Sequence, residues 1–206
     1  MPFVRNDGRA RFAAVVSAAA MSAGLVGGCG GAGEAVPPTA SAPAESVAVH
    51  TPNGTDVAFA RDMIPHHRQA MEMADLAVDR AGSAEVRTLA DQIRQAQDSE
   101  ITQMAGWLTE WGQPLPSPGQ HTGQDEHHGM PGMMTGAEMA ALAGAAGADF
   151  DRLFLDMMIR HHEGAVRMAG ILRSDGVHPA VRQLAESIAA SQQSEITEMR
   201  GLLEQL

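Results

Sequence analysis

The chain says the same thing twice. Residues 56–111 align without a gap to residues 151–206 at a constant offset of 95, with 22 identities in 56 positions. Among the identities are Met63, Ile64, His66 and His67 against Met158, Ile159, His161 and His162, then Ala70, Met73 and Ala74 against Ala165, Met168 and Ala169. Further on, Ser99-Glu100-Ile101-Thr102 and Met104 recur as Ser194-Glu195-Ile196-Thr197 and Met199. A repeat of this length is one supersecondary unit that buries its apolar face against its copy. The fold must therefore be built from two equivalent halves.

Within each copy the apolar period is helical. Phe59, Met63, His66, His67, Ala70, Met73, Ala74 and Ala77 recur at three- and four-residue spacing and share one helix face. Ala81-Gly82-Ser83 breaks that helix, and Ser83 is suited to cap the next. Val86, Leu89, Ala90, Ile93, Met104 and Leu108 then form a second stripe, ended by Trp111-Gly112 and Pro114. The second copy repeats the plan, with Pro179 suited to a helix start. Thr135-Gly136-Ala137-Glu138 reads as a capping box opening a short helix that ends near Gly144 to Gly147. The expected fold is all-α: an antiparallel, ferritin-like four-helix bundle made of two duplicated hairpins joined by a long crossover, 112–148. Pro65 stands inside the first helix where the copy has Arg160, and is expected to kink or loosen it. The stripes should suffice for a core without any metal.

The N-terminus reads as export machinery. Arg5, Arg9 and Arg11 precede an apolar run from Phe12 to Val26, the layout of a signal peptide. Small residues then lead to Cys29, the only cysteine, as in a bacterial lipobox. Residues 1–28 are read as a lipoprotein signal peptide, with lipid (palmitate) on Cys29. Residues 29–54 form a Gly/Ala/Pro/Ser tether, and 55–206 the folded domain. The alternative is a secreted protein with a spare thiol. The expected location is the extracytoplasmic face of the cell membrane. The net charge of −11 becomes −13 without residues 1–28, which lose three Arg and one Asp. That balance argues against nucleic acid as a partner.

The chemistry lies at the duplicated His-His pairs. Met63 with His66 and His67, and Met158 with His161 and His162, project from adjacent turns, and Met73 and Met168 lie two turns on. Thioether is soft and prefers Cu(I), and imidazole suits copper, zinc, iron and nickel, so the mixed set favours copper with Ag(I) as a mimic. A di-iron carboxylate site would need Glu three residues before each His, where Met63, Ile64, Met158 and Ile159 stand. Adjacent histidines point about 100° apart, so one of each pair can ligate while the other makes an internal hydrogen bond. Core packing is the alternative for the methionines, and the preferred one for Met104 and Met199. Gln97, Glu100, Gln192 and Glu195 interrupt the second stripes. They either orient the imidazoles or pair with Arg87, Arg167 or Arg182. In the crossover, His121, His127, His128, Met130, Met133, Met134 and Met139 form an accessory metal tract or else a plain connector, and Met157, beside Met158 in the second copy, is a further accessory thioether.

The blocks FARDMIPHHRQAMEMADLA, HHGMPGMMTGAEMAALAGAAGADFDRLFLDMMIRHHEGAVRMA and SEITEMRGLL resemble the domain-of-unknown-function 305 family over about residues 55 to 206. The resemblance implies an exported, ferritin-like bundle that binds copper through Met and His, with Met130, Met133 and Met134 in the family's Gly-Met-Met segment. No serine, cysteine or carboxylate motif accompanies the histidines, so no catalysis is expected. The expected function is a lipid-anchored protein that sequesters or transfers Cu(I), with a second copy or a copper-delivery protein as its partner. The rival readings are an envelope module without metal and a metal-dependent enzyme on the same histidines.

Overall fold

A computed structural model describes residues 51–117 and 130–206. Five helices follow one another: α1 (Gly54–Arg80), α2 (Ala84–Glu110), α3 (Gly136–Gly144), α4 (Gly147–Asp175) and α5 (Pro179–Leu203). No strand occurs among the described residues. The two repeats are the hairpins α1–α2 and α4–α5, and α1 and α4 pack centrally, each carrying its own partner on one flank. The molecule is the helical bundle expected from the stripes, with α3 in the crossover. None of the helices is long and apolar enough to cross a membrane.

Local signals set the helix ends. Asn53 caps α1 in a box with Asp56, Thr135 caps α3 in a box with Glu138, and the Ser83 hydroxyl accepts from the Val86 N–H at the start of α2. At the matching place His178 makes no side-chain cap, but Pro179 stands first in α5 and has no N–H to satisfy. Gly112, at φ +64, turns the chain out of α2. α1 runs unbroken through Pro65. The ring removes one helical bond, to the carbonyl of Arg61, and the surrounding 27-residue helix with its buried face carries that loss.

The core has two apolar halves. One joins the C-terminal half of α1 and the first half of α2 to the start of α4 and the end of α5 (Met73, Leu89, Ile93, Phe154, Met158, Met199). The other joins the opposite halves (Phe59, Met63, Met104, Met168, Leu184, Ile188). Between them lies a polar waist. His66, His67, His161, His162, Gln97 and Gln192 are all buried there, each near the midpoint of its helix.

A reciprocal pair of aspartates ties the hairpins together. The Asp56 carboxylate, on α1, accepts from the backbone N–H groups of Val177 and His178 in the α4–α5 turn at 3.1–3.3 Å. Asp151, on α4, accepts from Gly82 and Ser83 in the α1–α2 turn at 2.9 and 2.8 Å. These four donors are themselves equivalent at the offset of 95. Gly82 leaves room for the approach, because a Cβ there would lie 3.0 Å from Asp151 Oδ2 and 2.8 Å from the carbonyl carbon of Gly147. Both carboxylates are buried, and a hydrogen bond to a charged group contributes about 1.5–3 kcal/mol. Asp56→Ala and Asp151→Ala are each expected to lower the unfolding free energy by at least about 1.5–3 kcal/mol. The two losses should add, because the sites lie at opposite ends of the bundle. Urea titration of the single and double variants checks both the size and the additivity.

Candidate metal centre

α1 and α4 bring the two histidine pairs together at the waist. The His66 and His161 rings face each other with centroids 3.8 Å apart and planes tilted by 38°. His67 and His162 turn instead toward the outer helices. His67 Nε2 lies 2.7 Å from Glu100 Oε2 on α2, and His162 Nε2 lies 2.6 Å from Glu195 Oε2 on α5. The sequence leaves these glutamates between histidine and arginine partners; the partner is histidine, twice. Arg87 donates to the Ala81 carbonyl instead.

The hydrogen bonds choose the tautomers. His66 Nε2 lies 3.1 Å from the carbonyl oxygen of Pro131, which can only accept. That nitrogen therefore carries the proton, and Nδ1 keeps the lone pair. The Glu100 and Glu195 carboxylates likewise accept from Nε2–H of His67 and His162. In all three rings Nδ1 is buried without a hydrogen-bond partner, and so are both ring nitrogens of His161. Gln97 has neither amide atom partnered, and Gln192 leaves its oxygen unpartnered. Each such atom costs about 1–3 kcal/mol, so the concentration of them at one level of the bundle opposes folding and calls for a reason. Carboxylates behind imidazoles are the arrangement that orients metal-binding histidines.

The methionines do not form one ring around the histidines. Met63 and Met168 lie in one apolar half with Met104, and Met73 and Met158 lie in the other with Met157 and Met199. Each half thus combines the thioether preceding one copy's His pair with the thioether following the other's. Among the described residues no three His, Cys, Asp or Glu side chains are grouped to hold a metal ion. Nitrogen and oxygen donors alone do not complete a site here.

Residues 130–134 cross the outer groove between α1 and α4 as a strap. Gln69 grips it through both backbone groups of one residue: its Nε2 donates to the Met134 carbonyl at 2.8 Å, and the Met134 N–H donates to its Oε1 at 2.7 Å. On α4 the strap comes so close that a Cβ on Gly164 would lie 1.9 Å from the Pro131 oxygen. Gly132, at φ +85, is also closely approached: a Cβ there would meet the Arg160 carbonyl oxygen at 2.6 Å. Arg160 then reaches the Met134 sulfur at 3.4 Å and Glu138 at 2.8 Å. Met134 is buried, while Met130 and Met133 are half-buried. Gln69, Gly164, Pro131 and Arg160 carry no signal in the periodic pattern. A comparison of the copies does expose Gln69, Gly164 and Arg160, because Gln69 faces Gly164 and Pro65 faces Arg160 across the alignment; Pro131 lies outside both copies. His127, His128 and Cys29 lie outside the described residues.

Burial sets the proton chemistry. Desolvation, helped by the neighbouring His67, lowers the His66 pKa from 6.5 to about 3, against the opposing pull of the Pro131 carbonyl. His161 is lowered well below 6.5 by burial first and by His66 next. A base whose pKa falls on folding binds more protons when unfolded, so stability rises with pH between the two values. For the metal-free protein, stability is expected to be full above pH 6.5. Below that it should fall by about 1.4 kcal/mol per pH unit for each of the two rings, down to about pH 3 for His66. Denaturant titrations from pH 7 to 4 check the slope, and His66→Gln should reduce it.

The comparisons agree with this architecture. The family described as Domain of unknown function (DUF305) matches residues 56–203. A DUF305 fragment from Deinococcus radiodurans is 36% identical with a TM-score of 0.67, covering 75% of this chain and 98% of its own. A Streptomyces coelicolor DUF305 protein is 38% identical with a TM-score of 0.66, covering 73% and 93%. CopM in its Cu(I)-bound form is 32% identical with a TM-score of 0.61, covering 74% and 98%, and it is also known in Cu(II)-bound and Ag-bound forms. No protein of curated function matches. By sequence, fold and nearly full-length coverage of these relatives, the chain belongs to the DUF305 family.

Proposed function

We propose that the protein binds a soft monovalent cation, Cu(I) with Ag(I) as its mimic, at the waist of the bundle and holds or hands it on without chemistry. The observation that carries this reading is the set of buried imidazole nitrogens left without partners between two methionine-bearing halves. His66, His67, His161 and His162 offer lone pairs, mostly on Nδ1. Met63 and Met168 on one side, and Met73 and Met158 on the other, offer thioethers. Buried, uncharged nitrogen and sulfur donors suit a monovalent soft ion better than a hard divalent one. The copper- and silver-bound forms of CopM support the same class of cargo. Glu100 and Glu195 hold the rings, and Gln97 and Gln192 line the same level of the core. Met130, Met133 and Met134 on the strap, with Met157 and with His127 and His128 upstream, form an accessory donor set.

The same reading places the protein on the extracytoplasmic face of a membrane, anchored through Cys29 and the tether that follows. The name of the Streptomyces relative as a secreted protein supports export. A carrier on a tether can meet a second copy or a delivery partner.

Cu(I) or Ag(I) is expected to bind the full chain far more tightly than Zn(II) in competition with a chromophoric chelator, and to raise the melting temperature by mass action. The helical circular dichroism should stay unchanged, because the apolar halves fold without metal. Changing His66, His67, His161 and His162 together to Ala should abolish the rise and keep the helices. Affinity no greater than that of a methionine-free peptide would exclude the reading.

A further inference from the structure

The waist has two interhelical sides, and among the described residues only the α1–α4 side is covered by the crossover. On the α1–α4 side the strap is pinned by Gln69 and fills the space that Gly164 leaves. On the opposite side α2 and α5 barely meet along their length. Helix geometry places Glu100 on that open seam. Trp107 lies seven residues after Glu100, two turns along the same flank of α2, and its ring is 6.2 Å from His178 at the head of α5. The flank carrying Glu100 therefore looks toward α5. In the second copy Leu202 lies seven residues after Glu195, on the same flank of α5, and packs on the apolar half to which α2 contributes Val86, Leu89 and Ile93. The two carboxylate side chains are 17% and 20% exposed, while the rings they hold are fully buried. Three residues before each glutamate stand Gln97 and Gln192, both 2% exposed and with unpartnered amide atoms.

We propose that the α2–α5 seam is the port through which a monovalent cation reaches the histidines, with Glu100 and Glu195 at its mouth and the Gln97 and Gln192 amides beneath them. This rests on the function proposed above. A carboxylate pair raises the local cation concentration where field lines are focused by apolar walls. The amide oxygens then offer the arriving ion neutral ligands as it sheds water, before the Nδ1 lone pairs of His67 and His162. The glutamates thus have two roles, fixing the rings and drawing in the ion. The roles separate because a glutamine can still accept the Nε2–H bond while carrying no charge.

The test is stopped-flow uptake of Cu(I) by the full chain from a weak chromophoric chelator. Glu100→Gln with Glu195→Gln is expected to slow association by about tenfold and to flatten its dependence on ionic strength. Asp98→Asn on the exposed face of α2 controls for overall charge and should leave the rate within about twofold. Gln69→Ala, which loosens the strap, should also leave the rate unchanged. If the double variant loses helical signal, each single variant decides, with an expected slowing of a few-fold. Unchanged rates in the glutamate variants, or faster uptake in Gln69→Ala, would overturn the port. Absence of any binding by the unaltered chain would instead defeat the function on which it rests.

Discussion

Everything at the waist depends on the register between α1 and α4, and two carboxylates set that register from opposite ends. His66 lies ten residues after Asp56, and His161 ten residues after Asp151. At 1.5 Å per residue each ring stands about 15 Å from its own helix's aspartate. Each aspartate is fastened to the turn of the other hairpin. Two antiparallel helices fixed at both ends in this way have one relative position left, and in it the two rings meet at 3.8 Å. Sliding by a turn would separate the rings, strand both carboxylates in the core and offset the two apolar halves. A buried charge without its donors costs several kcal/mol, so the clasp specifies the alignment more sharply than apolar packing could.

The duplication explains why there are two of everything, and the crossover explains where the copies part. A single connection cannot obey a two-fold axis, so the groove it occupies must differ on its two walls. Gln69 on α1 supplies both hydrogen bonds to the Met134 peptide. Its counterpart Gly164 supplies only space. One turn earlier, Pro65 gives way to Arg160, which binds the Met134 sulfur and the Glu138 carboxylate. The difference between the copies at Pro65 thus has its physical reason in the strap rather than in a break of α1. Among the described residues the α2–α5 side carries no such connection, and there the copies match, glutamate for glutamate and glutamine for glutamine.

Whatever is local or periodic in this molecule is legible in the sequence. The four long helices, the Ser83 cap, the Thr135 capping box, the Pro179 start and the buried stripes all follow from spacing, because each involves residues within two turns of one another. Contacts between distant segments that depend on no period stay hidden. Asp56 looks like any acidic residue in a first helical turn, where a carboxylate is favourable without a tertiary partner, and Asp151, just past the first turn of α4, stands out no more. Pro131 contributes a backbone oxygen, which no side-chain pattern can signal. The partition of the methionines between two halves requires knowing that α1 and α4 run antiparallel, which places Met63 beside Met168 rather than beside Met73. The glutamate–histidine pairs fall between these cases. Their buried register could be read from the stripe, but the choice between histidine and arginine partners needed the fold.

Burial also decides what a cation would compete with at this site. An imidazole with its ordinary pKa surrenders its lone pair to a proton as the medium turns mildly acidic, and metal affinity falls with it. His66, held near 3, and His161, lower than usual for the same reason, keep their lone pairs through that range. Thioethers do not take up protons at all in water, so the Met side chains add donors with no pH dependence. The desolvation that makes these rings costly to bury therefore removes the proton as a rival for the proposed cargo. The two apolar halves on either side hold the rings in that dry layer. Scaffold and site are coupled by the dielectric of the core.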